Sequence, residues 1–142
     1  MLKSAVNDVV DEVRQLQQTN GVPLRHIIID EDGVGGGAKD FLRCQGFTNN
    51  ARPLKKENYQ NLKAQCYYKL AELINKGQIG ITCPDINVKN HIIEECEQVR
   101  MKDADKDTKL QIVPKEIVKD IIGRSPDYSD ALAMRMYYEI DG

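Results

Sequence analysis

Val6, Val9, Val10, Val13 and Leu16 recur at steps of three and four residues, so residues 2 to 18 are expected to form an amphipathic helix closed near Asn20-Gly21. His26-Ile27-Ile28-Ile29-Asp30 is short, β-branched and flanked by turn residues. It reads as a fully buried strand of a parallel sheet. Gly33-Val34-Gly35-Gly36-Gly37 then predicts a loop, residues 38–43 a short helix and residues 44–47 a second strand. Helix, strand, glycine loop and helix in that order are typical of α/β layering.

The second half is richer in helices. Tyr59, Leu62, Cys66, Leu70, Leu73 and Ile74 share one face of a helix expected over 57–76, with Gly77 as its stop. Residues 79–81 suggest a brief strand. Pro84-Asp85 opens a helix reaching about Arg100 that carries Val88, Ile92, Ile93, Cys96 and Val99. A polar tip at 103–109 separates residues 99–101 from 110–113, predicting a hairpin. Residues 114–122 form a short helix, and Ser125-Pro126 starts the last one, with Ser as N-cap and Pro at the first helical position. No internal repeat, low-complexity tract or linker is visible, so residues 1–142 are expected to form one domain.

Composition narrows the classes of function. The 142 residues suffice for a core without staples, and a formal net charge of −2 leaves no global positive field, so any nucleic-acid contact must use local patches. Cys44, Cys66, Cys83 and Cys96 lack metal-ligand spacing and read as reduced core thiols of a cytosolic protein. Lys3, Asp8, Asp11 and Glu12 interrupt the N-terminal apolar residues, and no run of about 18 apolar residues occurs, so neither a secretory leader nor a membrane span is expected.

Two acidic clusters are the candidate chemistry. Asp30 ends a buried strand, where open α/β sheets place their sites, and Asp32 follows it either as an auxiliary acid or as a turn residue before Gly33. Asp127 and Asp130 are i and i+3 in the first turn of the last helix, on one face. They serve either as ligands or only as complements to the helix dipole. If the fold joins the clusters they form a carboxylate pocket for Mg²⁺ or Mn²⁺, which take hard oxygen ligands.

Gly33-Val34-Gly35-Gly36-Gly37-Ala38 also satisfies the dinucleotide-binding pattern. Three preceding acids would repel a pyrophosphate, and residues 49–53 lack the acid expected at the end of a second strand. Close helix–strand packing with positive φ in the turn is the favoured reading of the glycines. Arg52, Lys55, Lys56, Lys63 and Arg124 are candidate DNA contacts, against the simpler reading of a solvated surface. Tyr67 and Tyr68 are expected in the core and at its rim.

Asp30-Glu31-Asp32-Gly33-Val34-Gly35-Gly36-Gly37, Gly46-Phe47-Thr48-Asn49-Asn50-Ala51-Arg52-Pro53, Asn58-Tyr59-Gln60-Asn61-Leu62-Lys63-Ala64-Gln65-Cys66-Tyr67 and Gly123-Arg124-Ser125-Pro126-Asp127-Tyr128-Ser129-Asp130-Ala131-Leu132 together resemble, in this order, the C-terminal nuclease domain of tailed-phage terminase large subunits. The resemblance implies a partial RNase H-like fold similar to the Holliday-junction resolvase RuvC. Helices would pack on a small sheet, with a late β-hairpin and a C-terminal helix carrying the Asp-x-x-Asp. It implies metal-dependent endonucleolytic cleavage of DNA during genome packaging in the host bacterial cytoplasm. Asp30 matches the family's second catalytic acid, and Asp127 and Asp130 match its closing Asp-x-x-Asp-Ala-Leu motif, Asp127 having the edge as main ligand.

The implied partners are double-stranded DNA and either the remaining terminase portions (ATPase domain, small subunit, portal) or a second copy of the chain. No Gly-x-x-x-x-Gly-Lys-Ser/Thr motor motif occurs. The family's domain begins with a three-stranded meander that supplies the first catalytic aspartate, whereas this sequence starts at the helix expected after it. At most one weakly bound metal and little cutting by this chain are therefore expected. The alternatives are a catalytically silent prophage remnant serving as an interaction module and, behind it, a nucleotide-binding α/β protein.

Overall fold

A computed structural model describes residues 5–32, 34–102 and 109–141. Gly33 and most of the polar tip at 103–109 lie outside the described residues. The fold is mixed α/β and divides into two compact units, Met1–Ala51 and Arg52–Gly142.

The first unit runs α1 (Ala5–Asn20), β1 (Ile28–Asp30), α2 (Val34–Leu42) and β2 (Gln45–Phe47). β1 and β2 pair in parallel, with Ile28 opposite Gln45, Ile29 opposite Gly46 and Asp30 opposite Phe47. Parallel neighbours need a crossover, and α2 provides it. Val10, Ala38, Leu42 and Cys44 form the buried centre, joined by Val6, Val9, Val13, Ile27 and Ile29. The valine spacing of α1 is thus the stripe that covers α2 and β1.

Two expectations for this unit change. β1 is half-buried rather than fully buried, and residues 24–26 form a single 3-10 turn before it. The glycines are not a loop: Val34 already opens α2, so Gly35, Gly36 and Gly37 are helical. Their packing role survives in that helix. A Cβ on Gly37 would lie 3.0 Å from the Val6 side chain, and one on Gly36 would lie 2.9 Å from the Glu31 carbonyl oxygen. The missing side chains let α2 approach α1 and the end of β1 closely.

The second unit contains α3 (Leu62–Asn75), α4 (Ile86–Gln98), β3 (Met101–Lys102), β4 (Gln111–Ile112), α5 (Lys115–Ile122), α6 (Asp127–Arg135) and α7 (Tyr137–Asp141). α3 begins at Leu62, five residues later than the apolar spacing suggests. Asn61 caps it, with its Oδ1 accepting the Ala64 N–H at 2.9 Å. Tyr59 instead forms a parallel bridge with Leu110. Gly77, at φ 66°, ends the helix as expected. Asp85 caps α4 by accepting the Asn87 and Val88 N–H groups. β3 and β4 form the antiparallel hairpin, which the Tyr68 hydroxyl ties to α3 by donating to the Gln111 carbonyl at 3.0 Å. No strand forms at 79–81.

α6 is reached differently from the expectation. Pro126 occupies the N-cap position, one residue before the helix, and Ser125 contributes only its carbonyl, which accepts the Asp127 N–H at 2.9 Å. α3 packs on α6 and α7, and α4 packs on α5 and α6. Leu62, Cys66, Tyr67, Leu70, Val118, Ala133, Met136 and Ile140 are buried between them. Among the described residues no helix is long and apolar enough to cross a membrane.

Candidate active site

In the first unit the acids stand at the end of β1 and just beyond it, beside the segment that follows β2. Asp30 is half-buried, and its Oδ1 accepts the Asp32 N–H at 2.9 Å, an Asx-type turn that orients the carboxylate. Its other oxygen accepts from none of the described residues. Asp32 is exposed and is tied to the neighbouring loop, since Asn49 Nδ2 donates to its Oδ2 at 2.6 Å. Glu31 continues the ladder, its N–H donating to the Phe47 carbonyl at 2.8 Å. Its side chain is occupied: Oε2 accepts from Thr48 Oγ1 at 2.8 Å, and Oε1 lies 3.4 Å from Lys39 Nζ. The Glu31 hydrogen bond and charge raise the Lys39 ammonium above its ordinary pKa. Glu31 and Asp32 therefore staple the two loops, while the second oxygen of Asp30 is engaged by none of the described residues.

In the second unit Asp127 and Asp130 share the first turn of α6, as their spacing requires, but their surroundings differ. Asp127 is exposed, and no hydrogen bond or ion pair joins its carboxylate to a described residue. Asp130 is half-buried: Lys115 Nζ lies 2.8 Å from its Oδ2, and the Tyr67 hydroxyl donates to its Oδ1. Tyr67 Oη also lies 3.0 Å from Ser129 Oγ, which in turn lies 3.2 Å from the Pro126 carbonyl. With the tyrosine proton on Asp130, the serine proton is left to choose between Tyr67 and Pro126. Burial first, then the Asp130 charge, pushes the Tyr67 hydroxyl well above the usual phenol range.

Beneath α6 lies a buried carboxylate. Glu95 on α4 is fully buried; its Oε1 accepts the Ser129 N–H at 3.0 Å and its Oε2 accepts from Arg124 Nη1 at 2.6 Å. Ser129 is the third residue of the helix, so Glu95 supplies from another element the acceptor that an N-cap side chain would supply locally. Pro126 has no side chain able to do it. Arg124 also reaches Glu94 at 3.3 Å and the His91 carbonyl at 3.5 Å. The hydrogen bond to Glu95 is the main reason its guanidinium binds its proton more tightly than usual.

Arg124 is thus a structural partner of Glu95 in this arrangement, which differs from its expected part as a DNA contact. Arg52, Lys55 and Lys56 are exposed. Lys63 is half-buried, with Nζ 6.0 Å from the centre of the Tyr67 ring. Tyr67 is buried and Tyr68 half-buried against Tyr59, as expected of core and rim. The four cysteines are free thiols; Cys44 and Cys66 are buried, whereas Cys83 and Cys96 are only half-buried.

Glu95, Lys115 and Ser129 were not singled out by their sequence positions, and Tyr67 was expected only as a core residue. Glu95 alone carried a signal: it interrupts the stripe of Val88, Ile92 and Val99 on the buried side of α4. A carboxylate at such a position implies a buried partner.

The donors available have the right chemistry for a hard divalent cation, being carboxylates, but not the right number. Among the described residues no three His, Cys, Asp or Glu side chains come together as a metal-binding group. Each unit contributes a pair, and in the second unit Asp130 is already neutralised by Lys115. The described residues therefore do not by themselves fit a metal.

This fold is shared with a nuclease domain of known structure from a bacterial virus. The chain matches the nuclease domain of the large terminase subunit gp2 of bacterial virus Sf6 with a TM-score of 0.68 and 22% identity, covering 89% of this chain and 70% of that one. A lysine-to-alanine variant of the same domain, with manganese and beta-thujaplicinol, gives a TM-score of 0.71 at 22% identity over 95% of this chain and 74% of that one. The terminase nuclease fold is thus shared. No protein-family model matches the chain. No curated protein sequence matches it either.

Proposed function

We propose that this chain serves as the nuclease portion of a phage or prophage large terminase subunit, acting on double-stranded DNA during genome packaging in the host cytoplasm. The single observation that carries the proposal is the shared fold over 89–95% of the chain. The RNase H-like, RuvC-like details belong to the same reading. Asp30 and Asp127 are the proposed ligands of Mg²⁺ or Mn²⁺, Asp130 is a ligand or water-holder, and Asp32 is auxiliary. A divalent ion, were these carboxylates to hold one, would supply Lewis acidity to a bound water and to the leaving oxygen of the phosphodiester.

The residues of this chain contribute placement. Asp30 is oriented by the Asp32 N–H, and Asp130 by Tyr67 and Lys115, with Glu95 holding the first turn of α6, which bears Asp127 and Asp130. Arg52, Lys55, Lys56 and Lys63 are the proposed phosphate contacts.

A second reading, a catalytically silent interaction module, is favoured by one specific observation: no three metal-ligating side chains cluster among the described residues. Calorimetric Mn²⁺ titration of the chain and of Asp30→Ala and Asp127→Ala separates the two. The nuclease reading expects one weak binding event that both substitutions abolish. A parent chain that binds no Mn²⁺ refutes it and leaves the interaction module.

A further inference from the structure

Between Pro53 and Glu57 the backbone takes a conformation that its residues do not favour. Lys55 and Lys56 both have positive φ, 57° and 55°, and the Glu57 N–H donates to the Leu54 carbonyl at 3.3 Å. Two successive left-handed residues closed by an i to i+3 hydrogen bond make a type I′ turn, whose central positions normally go to Asn, Asp or Gly. Lysine has a Cβ that resists this conformation. Three non-glycine residues with positive φ occur among the described residues, and this turn holds two of them in succession.

The turn is held from below. Gln65 on α3 is 2% exposed, and all the hydrogen bonds of its amide go to this segment. Its Oε1 accepts the Leu54 N–H at 2.7 Å, and its Nε2 donates to the Leu54 carbonyl at 3.0 Å and to Glu57 Oε1 at 2.9 Å. A buried amide spent wholly on one surface turn over-determines its shape, which is how strained backbone persists at working sites. Both lysines are exposed, and no ion pair joins either to a carboxylate among the described residues. Adjacent ammonium groups repel each other, so the preferred occupant is a polyanion that meets both at once.

We infer that the Lys55-Lys56 turn is a rigid clamp for the phosphate backbone of duplex DNA, with Gln65 as its positioning residue. The choice of DNA rests on the proposed nuclease function; the anionic chemistry rests on the turn itself. The clamp works without sequence preference, because phosphates carry no sequence information.

The test is fluorescence anisotropy with a mixed-sequence duplex, without divalent metal and over a range of KCl concentrations. Lys55→Asn/Lys56→Gly installs the residues the turn prefers, so it is expected to fold with a raised thermal midpoint while binding DNA at least about fivefold more weakly. Its slope of log affinity against log salt should shrink by about 1.8, two phosphate contacts' worth. Gln65→Leu keeps both charges and is expected to weaken binding and shrink the slope. The double variant Lys89→Gln/Lys119→Gln removes two charges elsewhere and should leave the slope unchanged.

The inference is overturned if the parent chain does not bind the duplex, if the Asn-Gly variant keeps the parental slope, or if the Lys89/Lys119 control loses as much. Unchanged binding in Gln65→Leu removes the positioning role. Because metal is left out, failure of the Mn²⁺ titration cannot imitate failure here, and loss of the clamp leaves the Asp30 and Asp127 result standing.

Discussion

Replacing Glu95 tests whether α6 is held by a carboxylate from α4. Removing one partner of a fully buried ion pair costs roughly 3–5 kcal/mol. That is an upper bound here, because Arg124 is 29% exposed and keeps Glu94 at 3.3 Å. The surer part is the Ser129 N–H, which is buried and loses its acceptor, worth roughly 1–3 kcal/mol. Glu95→Ala should therefore destabilise the second unit by about 3 kcal/mol. Glu95→Gln keeps an oxygen for Ser129 but loses the charge-assisted bond, for a loss of about 1.5 kcal/mol. Glu94→Ala, which removes a more exposed contact to the same guanidinium, should cost less than about 0.5 kcal/mol.

The sequence provides the assay. All six tyrosines lie between positions 59 and 138 and there is no tryptophan, so tyrosine fluorescence reports the second unit alone. Urea melts followed by that signal should shift their midpoint down by roughly 1.5 M for Glu95→Ala, taking a slope of about 2 kcal/mol per molar. The contrast with Glu94 is the decisive part. Equal losses for Glu94→Ala and Glu95→Ala, or a loss below about 0.5 kcal/mol for Glu95→Ala, would refute the capping argument, because an unsatisfied buried N–H cannot be that cheap.

Three further outcomes follow from the same geometry. A Cβ at Gly46 would lie 2.3 Å from Glu31 Cδ, so Gly46→Ala should displace Glu31 from Thr48 and cost roughly 1 kcal/mol, most of it absent in a Glu31→Ala background when a double-mutant cycle is measured. Tyr67 holds its proton more tightly folded than unfolded, so its contribution to stability is complete below about pH 10 and is lost as pH climbs from there towards the folded value. Tyr67→Phe should therefore be less stable at neutral pH by roughly 1–2 kcal/mol, yet lose less stability in alkaline melts than the parent does. Burial pushes the Cys66 thiol up to about 12 and raises Cys44 and Cys96 as well. At pH 8 a thiol reagent should reach Cys83 first and Cys66 only on unfolding; rapid labelling of Cys66 in mass-mapped peptides would contradict its burial.

Element type was legible where apolar spacing was regular. The valine stripe of α1 and the apolar face of α4 place those helices within a few residues, because one face must be covered and the period says which. Boundaries failed where a local hydrogen bond outranked the stripe. Tyr59 continues the apolar spacing of α3 backwards, but the Asn61 side chain captures the Ala64 N–H and starts the helix after it. The glycine-rich run reads as a loop by propensity, yet close packing against Val6 and the Glu31 carbonyl turns it into helix, a tertiary demand that no local preference encodes. The Lys55-Lys56 turn was invisible for the same reason, since its conformation is imposed by Gln65 ten residues away.

Between the two acids of the Asp-x-x-Asp the resemblance gave Asp127 only the edge, and in the fold their surroundings differ. Asp130 is supplied with a cation by Lys115 and a hydroxyl by Tyr67, so its charge is already balanced and its orientation fixed. An incoming divalent ion would have to displace Lys115 from it. Asp127 stands exposed at the positive end of α6, where the helix dipole favours its ionised form and no described side chain competes for it. On the proposed function, then, Asp127 is the acid of the pair open to an ion, and Asp130 is a ligand or water-holder only where Lys115 yields it. The asymmetry is carried by Lys115: in Lys115→Met the carboxylate of Asp130 is released, and Mn²⁺ affinity measured by calorimetry should rise if Asp130 then joins Asp127. Affinity unchanged in Lys115→Met but abolished in Asp127→Ala would leave Asp127 as the ligand and Asp130 as its support.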